Sequence, residues 1–196
     1  VGPNRHLPWI KLNSKTQLTA VSDLDEERAR THGEKHGVPW YTDFELMLDE
    51  EPIDAVHICT PPQTHADIGC TVVRQGTPIL IEKPVAMNVS EIRDLMQAAD
   101  ETGTTVGVVY NRLFQTAVQE AMQRVNQGEI GDIVGVSHTY ARDNEPDQTM
   151  RGDWVFEMAG GGIGEGLPHQ LYLPMAFVSR LSEVSCVTMR KYGAYD

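Results

Sequence analysis

The stretch Pro78–Pro84 (PILIEKP) carries residues that could do chemistry at the end of a buried strand. Its apolar run, Ile79–Ile81, stops abruptly at Glu82 and Lys83. Unbroken aliphatic runs are typical of strands covered on both faces, and open α/β sheets bind ligands just beyond the carboxyl ends of their strands. The pattern therefore predicts an ammonium and a carboxylate at the rim of a pocket, on a turn that Pro84 stiffens. A solvated strand end is the alternative, because Lys and Glu usually lie at the surface.

A pair of histidines also has a spacing that could support chemistry. His32 and His36 lie four residues apart in a helix-prone segment and could present two imidazoles to a metal ion. No third ligand is apparent in the sequence, and histidines near a helix C-terminus also interact favourably with the helix dipole. We therefore predict no metal site, and a metal-dependent hydrolase stays only a distant alternative.

The glycine-rich stretch Gly160–Gly166 (GGGIGEG) does not fit the fingerprint of dinucleotide binding. Counting from Gly162 and Gly164, the next glycine that the fingerprint requires falls on Leu167. No apolar strand precedes the stretch either. We predict a substrate-side loop in which the backbone approaches a ligand closely.

The composition narrows the class of partner. The chain has 196 residues and a formal net charge of −12, which argues against a nucleic acid or an anionic membrane surface as the main partner. Its three cysteines, Cys59, Cys70 and Cys186, are far apart and odd in number, so we predict reduced thiols and a cytoplasmic location. No apolar stretch approaches the roughly 20 residues of a membrane span.

Strand-like and helix-like patterns alternate along residues 18–110, as expected for an α/β fold with a parallel, helix-covered sheet. The pattern changes at residues 111 and 112, where we place a domain boundary. The predicted strands are Leu18–Val21, Asp54–Cys59, Ile79–Ile81, Val106–Tyr110, Asp132–Ala141 and Val184–Met189. Three helices are predicted with definite bounds: Asp25–His36, which Gly37 closes, His65–Gln75 and Phe114–Asn126. Two more are a helix that begins at a Thr42/Glu45 capping box and a helix between Asn88 and Gly103. The last is a helical segment around His169, in which Pro174 makes a kink or marks the first turn.

Six motifs follow one another along the chain: AVSD, DAVHICTPPQTH, ILIEKPVA, GVVYNRLF, GEIGDIVGV and GGGIGEGLPH. In this order and spacing the chain resembles the Gfo/Idh/MocA family of nicotinamide-dependent oxidoreductases nearly end to end. The resemblance implies a Rossmann-like, NAD-binding domain over residues 1–111 and an α+β substrate and oligomerisation domain over residues 112–196. It also implies that both are incomplete: the family's first strand and most of its Gly-loop would precede Val1, and much of the second sheet would follow Asp196. We expect this polypeptide alone to bind NAD poorly.

The resemblance assigns cofactor contacts to the ends of the predicted strands. Asp23 ends a strand, where a carboxylate accepts hydrogen bonds from a ribose 2′-hydroxyl and repels a 2′-phosphate, so NAD is favoured over NADP. Gly2 would be the last Gly-loop position, about 20 residues before that acid. The alternative for Asp23 is an acid at the positive end of a helix. The further implied contacts are Thr60, Pro61, Pro62, His65, Glu82, Lys83, Asn111 and Arg112, of which His65 could instead cap a helix and Arg112 could instead form a structural ion pair.

The resemblance also implies the catalytic residues. Lys83 would hydrogen-bond the reacting oxygen, and His169 would take or give the proton. Glu165 lies where the family usually has an Asp, four residues before that histidine, and would orient it or stabilise its charged form. A satisfied core histidine is the alternative for His169. The chain departs from the family's pattern at Glu165, at Leu167 in place of Gly, and at Tyr172 in place of an acid.

The sequence thus predicts an NAD-dependent oxidoreductase that transfers a hydride between nicotinamide and a secondary alcohol of a sugar, inositol or related polyol. We expect a homo-oligomer, without nucleic acid, membrane or metal. The alternative is a non-catalytic NAD- or sugar-binding regulatory module on the same fold.

Overall fold

The computed structural model describes residues 2–140, 161–178, 181–185 and 187. The first compact unit runs to Val109, and the second begins at Tyr110 and includes most of the last helix. The strands are β1 (Val21–Ser22), β2 (Trp40–Tyr41), β3 (Val56–Ile58), β4 (Ile79–Ile81) and β5 (Val106–Val108). The helices are α1 (Leu7–Leu12), α2 (Glu26–His36), α3 (Phe44–Glu50), α4 (His65–Arg74), α5 (Val89–Thr102), α6 (Thr116–Asn126) and α7 (Gly161–Val178), with a π-helical turn at Gly2–His6 and 3₁₀ turns at Pro62–Thr64 and Asn111–Phe114.

All the strand pairs of the first unit are parallel, which confirms the predicted α/β class. β3, β4 and β5 form one sheet in that order, with Ile79 opposite both Val56 and Val106. β1 and β2 form a second sheet, so the strands fall into two small sheets rather than one. β1, β3 and β5 are also shorter than predicted, because they end where hydrogen-bonded pairing ends rather than where apolar residues end, whereas β4 has the predicted bounds.

The core of the first unit lies between the three-stranded sheet and helices α4 and α5. Helix α4 is apolar on the face that meets the sheet, and α5 packs closely against it. Each fully buried aliphatic side chain there stabilises the fold by about 1.5–3 kcal/mol. The core residues are Ile58, Cys70, Val72, Val73, Ile79, Ile81, Leu95 and Ala98.

Local signals placed most helix ends correctly. The Asn88 side chain accepts a hydrogen bond from the Glu91 amide at the start of α5, and Gly37 and Gly103 close α2 and α5 with positive φ angles of 69° and 67°. The predicted capping box at Thr42 is wrong. Asp43 caps α3 instead, because its carboxylate accepts hydrogen bonds from two backbone amides of the first turn.

Four predictions for the second half need correction. Residues 132–140 form no strand, since alternation alone supplies no hydrogen-bonding neighbour; Ala141 lies outside the described residues. The described part of Val184–Met189 forms no strand either, and residues 186, 188 and 189 lie outside that part. Residues 161–166 of the predicted glycine loop are helical in α7, because glycine disfavours a helix by only about 1 kcal/mol per residue. Pro174 does not mark a first turn, because both it and Pro168 lie inside α7.

The helical segment at residues 2–12 and strand β2 were not predicted, since neither shows a clear periodicity. Within the part of the chain that the structure describes, no helix combines the length and apolar character needed to cross a bilayer.

The contact between Gly33 and Trp40 gives a prediction for stability. A Cβ atom at Gly33 would lie 2.7 Å from both Cβ and Cδ1 of Trp40, too close for either residue to keep its place. Gly33→Ala should therefore lower the free energy of unfolding by about 1–3 kcal/mol. At an exposed helix position, by contrast, Ala stabilises the helix by about 1 kcal/mol relative to Gly. Urea unfolding measures the change.

Gly69→Ala is the matched control. Its Cβ would lie 3.1 Å from the flexible Cδ1 end of Leu95, which can move aside, so a smaller loss is expected. A Gly33→Ala protein more stable than the parent would contradict the packing.

Candidate functional site

The carboxyl ends of β3 and β4 lie side by side, because the two strands are parallel and Ile58 is opposite Ile81. The Glu82 amide donates a 2.9 Å hydrogen bond to the Ile58 carbonyl and extends the pairing by one residue. The loop that begins at Thr60 and the turn that carries Lys83 therefore leave the sheet at the same edge. This is the edge where α/β sheets bind ligands.

His65 joins these two loops from inside the fold. Its side chain is only 1% exposed, with Nδ1 2.8 Å from the Pro84 carbonyl oxygen and Nε2 2.7 Å from the Thr60 carbonyl oxygen. A neutral imidazole carries one N–H and donates to one of these carbonyls at a time, whereas a protonated ring donates to both. The ring thus holds the two loops together. Pro62 is also buried, and Pro61 accepts a hydrogen bond from the Thr64 hydroxyl through its carbonyl.

A polar cluster surrounds Glu82 at the same edge. The His6 Nε2 atom lies 2.8 Å from Glu82 Oε1, and each side chain is 14% exposed. The Lys83 amide donates to Glu82 Oε2 at 3.1 Å, so both carboxylate oxygens are engaged. The hydrogen bond with Cys59 and then that with Glu82 raise the pKa of His6 to about 9, against the effect of burial. Burial raises the pKa of Glu82, but the hydrogen bonds from His6 and the Lys83 amide outweigh it and lower that pKa.

The His6 ring also meets His57 edge to face, with 5.6 Å between the ring centroids. Burial, and then the neighbouring His6, lower the pKa of His57. The site therefore combines one imidazole that favours its charged form and one that favours its neutral form. Nothing in the sequence pattern pointed to His6, which lies 76 positions from its carboxylate partner.

Gly2 and Asp23, two of the predicted cofactor contacts, both lie in the first unit. A Cβ atom at Gly2 would lie 3.3 Å from the Cys59 Cβ, so glycine permits this close approach. Asp23 directly follows β1; its Oδ1 accepts a 3.0 Å hydrogen bond from the Asp25 amide and lies 3.4 Å from Arg28 Nη2. The Asp23 side chain is 40% exposed, and its hydrogen bond with the Asp25 amide contributes to the turn that precedes α2.

The second unit places three polar residues around a buried tyrosine hydroxyl. Tyr172 is 7% exposed, and its hydroxyl lies 2.7 Å from His169 Nδ1. The Arg112 amide donates to the same hydroxyl at 3.2 Å, and the hydroxyl donates to Asn111 Oδ1 at 3.4 Å. The Arg112 guanidinium lies over the Tyr140 ring, 4.9 Å from its centroid, in a cation–π contact. The sequence marked Tyr172 only as a departure from the family's pattern, and its spacing of three residues after His169 on a helix is the signal that could have found the contact.

The three predicted catalytic residues fall on two elements. Lys83 follows β4 in the first unit and is half-buried. His169 lies in the second unit on α7, four residues after Glu165, of which the structure describes the helical backbone.

The paired histidines of α2 do not form a metal site within the described residues. The rings of His32 and His36 stack with centroids 6.4 Å apart and 19° between their planes. Burial lowers the pKa of His36, and the nearby charged forms of Lys11, Lys35 and His32 lower it further. Among residues 2–140, 161–178, 181–185 and 187, no group of three or more His, Cys, Asp or Glu side chains could hold a metal ion.

Two family models match the chain, one over its first half and one over its second half. Residues 1–110 match the oxidoreductase family with an NAD-binding Rossmann fold, and residues 118–196 match the GFO/IDH/MocA C-terminal domain. The chain belongs to the Gfo/Idh/MocA family. It therefore carries an NAD(P)-binding Rossmann-type domain, and the resemblance drawn from the six motifs is confirmed.

Among the relatives that the chain matches are dehydrogenases named for a polyol or a sugar. The chain is 33% identical to scyllo-inositol 2-dehydrogenase (NAD(+)) of Bacillus subtilis over 59% of this chain and 34% of the relative, and 28% identical to levoglucosan dehydrogenase of Pseudarthrobacter phenanthrenivorans over 88% and 44%. Its fold matches the crystal structure of myo-inositol 2-dehydrogenase from Lactobacillus plantarum with a TM-score of 0.72 at 22% identity, over 86% of this chain and 50% of that one. The chain spans about half the length of the curated relatives it matches.

The raised pKa of His6 predicts how stability depends on pH. Since the folded-state pKa, about 9, lies above the ordinary 6.5, protonated His6 stabilises the fold fully below pH 6.5 and progressively less as pH rises to about 9. The urea midpoint of the protein should therefore fall between these pH values, and His6→Gln should flatten that fall. His138→Gln, at an exposed histidine, serves as the control. An unchanged pH profile in His6→Gln would show that His6 gains no partner on folding.

Proposed function

We propose that the whole protein is an NAD(H)-dependent oxidoreductase acting on a secondary alcohol of a sugar, inositol or related polyol. The observation that carries the proposal is the turn after β4, where Lys83 lies between two residues fixed by side chains of other elements. Glu82 is held by His6, and the Pro84 carbonyl faces the His65 ring. Two relatives, similar at 33% and 28% identity, are named as dehydrogenases of an inositol and of levoglucosan.

The residues of the first unit fit a nicotinamide dinucleotide. Gly2 leaves space that a Cβ atom would fill, and the Asp23 carboxylate is an acceptor at the end of a strand. We propose that residues 1–111 belong to the cofactor domain and residues 112–196 to a substrate and oligomerisation domain. The proposed cofactor contacts are Gly2, Asp23, Thr60, Pro61, Pro62, His65, Glu82, Lys83, Asn111 and Arg112. His65 would act through the two loops it joins.

The chemistry needs a proton carrier and a group that stabilises the developing alkoxide. When bound, the nicotinamide accepts or gives the hydride. The Lys83 ammonium would donate a hydrogen bond to the reacting oxygen, and the His169 imidazole would take the hydroxyl proton during oxidation and return it during reduction. We propose that Glu165 adds negative charge one turn before His169 and favours its protonated form.

The cofactor we propose is NAD rather than NADP. The Asp23 carboxylate would accept from a ribose 2′-hydroxyl and repel a 2′-phosphate. Among the ion pairs described, only the Arg28 guanidinium lies near that carboxylate, with Nη2 3.4 Å from Asp23 Oδ1. Its positive charge would offset part of this repulsion. The preference for NAD should therefore be moderate.

A regulatory module that binds NAD or a sugar without turnover is the second candidate. The contact of Tyr172 with His169, where the family commonly has an acid, is the observation that favours it. Absorbance at the reduced-nicotinamide band with a panel of polyols separates the two, because only the enzyme changes it. We further propose a homo-oligomer in the cytoplasm, consistent with the free thiols of Cys59 and Cys70.

Substitution of Lys83 tests the enzyme proposal. In the whole protein, Lys83→Ala should lower kcat by about 10²–10⁴-fold, since it removes the hydrogen-bond donor to the reacting oxygen. NAD affinity, measured by calorimetry, should fall far less than kcat, because the other nine proposed cofactor contacts remain. Lys35→Ala, at an exposed lysine of α2, is the control for loss of a positive charge. Wild-type turnover in Lys83→Ala would remove Lys83 from the mechanism.

Substitution of Asp23 tests the cofactor. Asp23→Ser should weaken NAD binding about tenfold, since a hydrogen bond to a charged group contributes about 1.5–3 kcal/mol, and it should strengthen NADP binding. Glu26→Gln removes a charge of the same sign in the first turn of α2 and should change neither affinity. Equal losses for NAD and NADP in Asp23→Ser would assign Asp23 to the α2 turn alone.

A further inference from the structure

We propose that Tyr172 is a positioning residue for His169. Its hydroxyl accepts a hydrogen bond from Nδ1–H and so keeps the proton of the neutral imidazole on Nδ1. Nε2 is then the nitrogen that exchanges the substrate proton. The proposal rests on the proposed function, which identifies the exchanged proton as that of the substrate hydroxyl. The contact itself rests only on residues of the second unit.

The distances define a hydrogen-bonded centre. The Tyr172 oxygen lies 2.7 Å from His169 Nδ1, 3.2 Å from the Arg112 amide nitrogen and 3.4 Å from Asn111 Oδ1. The first is the shortest of the three and falls at the lower end of the usual range for nitrogen and oxygen. Of these three partners, the imidazole is the closest to the buried hydroxyl.

The direction of these hydrogen bonds follows from counting protons. A tyrosine hydroxyl has one proton to donate and can accept through its oxygen lone pairs. The backbone amide of Arg112 can only donate, and Asn111 Oδ1 can only accept, so we assign the hydroxyl proton to the contact with Asn111. In this assignment the contact with His169 runs from Nδ1–H to the tyrosine oxygen. In neutral His169 this leaves the proton-accepting lone pair on Nε2.

The tyrosine is held firmly enough to act in this way. Its ring stacks on Tyr110 with 4.3 Å between centroids and 27° between planes. The Arg112 amide that donates to it belongs to the 3₁₀ turn Asn111–Phe114, so the oxygen is anchored by backbone as well as by ring packing. The two residues are three positions apart on α7, a spacing that brings side chains together on a helix.

A hydroxyl differs from the acid that the resemblance implies at this position. A carboxylate would hold Nδ1–H through a full negative charge, and it would stabilise the imidazolium more strongly than the neutral imidazole. The Tyr172 hydroxyl accepts from Nδ1–H without that charge. The tyrosine thus fixes which nitrogen is basic and leaves any charge effect to other groups.

The first test measures the tautomer and needs no substrate. In the whole protein labelled with ¹⁵N-histidine, ring nitrogen chemical shifts distinguish a protonated nitrogen from one with a lone pair, and His169→Asn identifies the His169 signals. Wild-type His169 in its neutral form should be the Nδ1–H tautomer, and Tyr172→Phe should shift it toward Nε2–H. An Nε2–H tautomer in the wild type would overturn the proposal without any variant, as would an unchanged tautomer in Tyr172→Phe.

The second test measures turnover. Tyr172→Phe should lower kcat about 10- to 100-fold with little change in KM, because misplacing a catalytic group costs rate rather than binding. Tyr110→Phe keeps the stacked ring and is the matched control, expected to keep wild-type values for both kcat and the tautomer. In the His169→Asn background, Tyr172→Phe should lower the rate no further. An equal loss in both backgrounds would mean that the hydroxyl serves only the fold.

The two proposals fail in different ways. Absence of any hydride transfer with polyols, together with the expected tautomer change, would reject the proposed reaction and retain the Tyr172–His169 contact. Normal turnover in Tyr172→Phe would reject the positioning role and retain the enzyme.

Discussion

The parallel pairing of β3 with β4 is the constraint on which the candidate site of the first unit depends. It fixes Ile58 opposite Ile81, and a shift of one residue would turn every following side chain to the other face. The register is specified because both strands contribute fully buried aliphatic residues to one core beneath α4 and α5. Packing of the core thus sets the positions at which Thr60 and Lys83 leave the sheet.

Charge at this edge is balanced locally, although the chain as a whole carries a net charge of −12. Glu82 contacts His6 through one carboxylate oxygen and the Lys83 amide through the other. Half-burial strengthens such contacts because fewer water molecules compete for the same atoms. The overall acidity therefore says little about the field that an anionic cofactor would meet here, which depends on these few groups.

Residues with strong local signals were predictable, and those that depend on distant partners were not. The run Ile79–Ile81 was placed without error because a buried aliphatic strand has few alternative structures. The strand at 132–140 was wrong because alternating side chains do not supply a hydrogen-bonding neighbour. His6 was missed because its role depends on a carboxylate 76 positions away, and no local pattern encodes that separation. For the same reason the sequence named His65 but not the Pro84 carbonyl that its ring would contact.

The imidazoles of His65 and His169 differ in what their partners permit. Each ring nitrogen of His65 faces a backbone carbonyl, and a carbonyl can only accept, so loss of a proton from this ring leaves one contact without its hydrogen. The Nδ1 atom of His169 faces a hydroxyl instead, and an oxygen that donates to Asn111 can accept from Nδ1–H in both the neutral and the protonated imidazole. The contact at Nδ1 therefore survives a change of protonation at Nε2. This difference in partners suits His65 to holding two loops in place, and it is compatible with the proton exchange that we propose for His169.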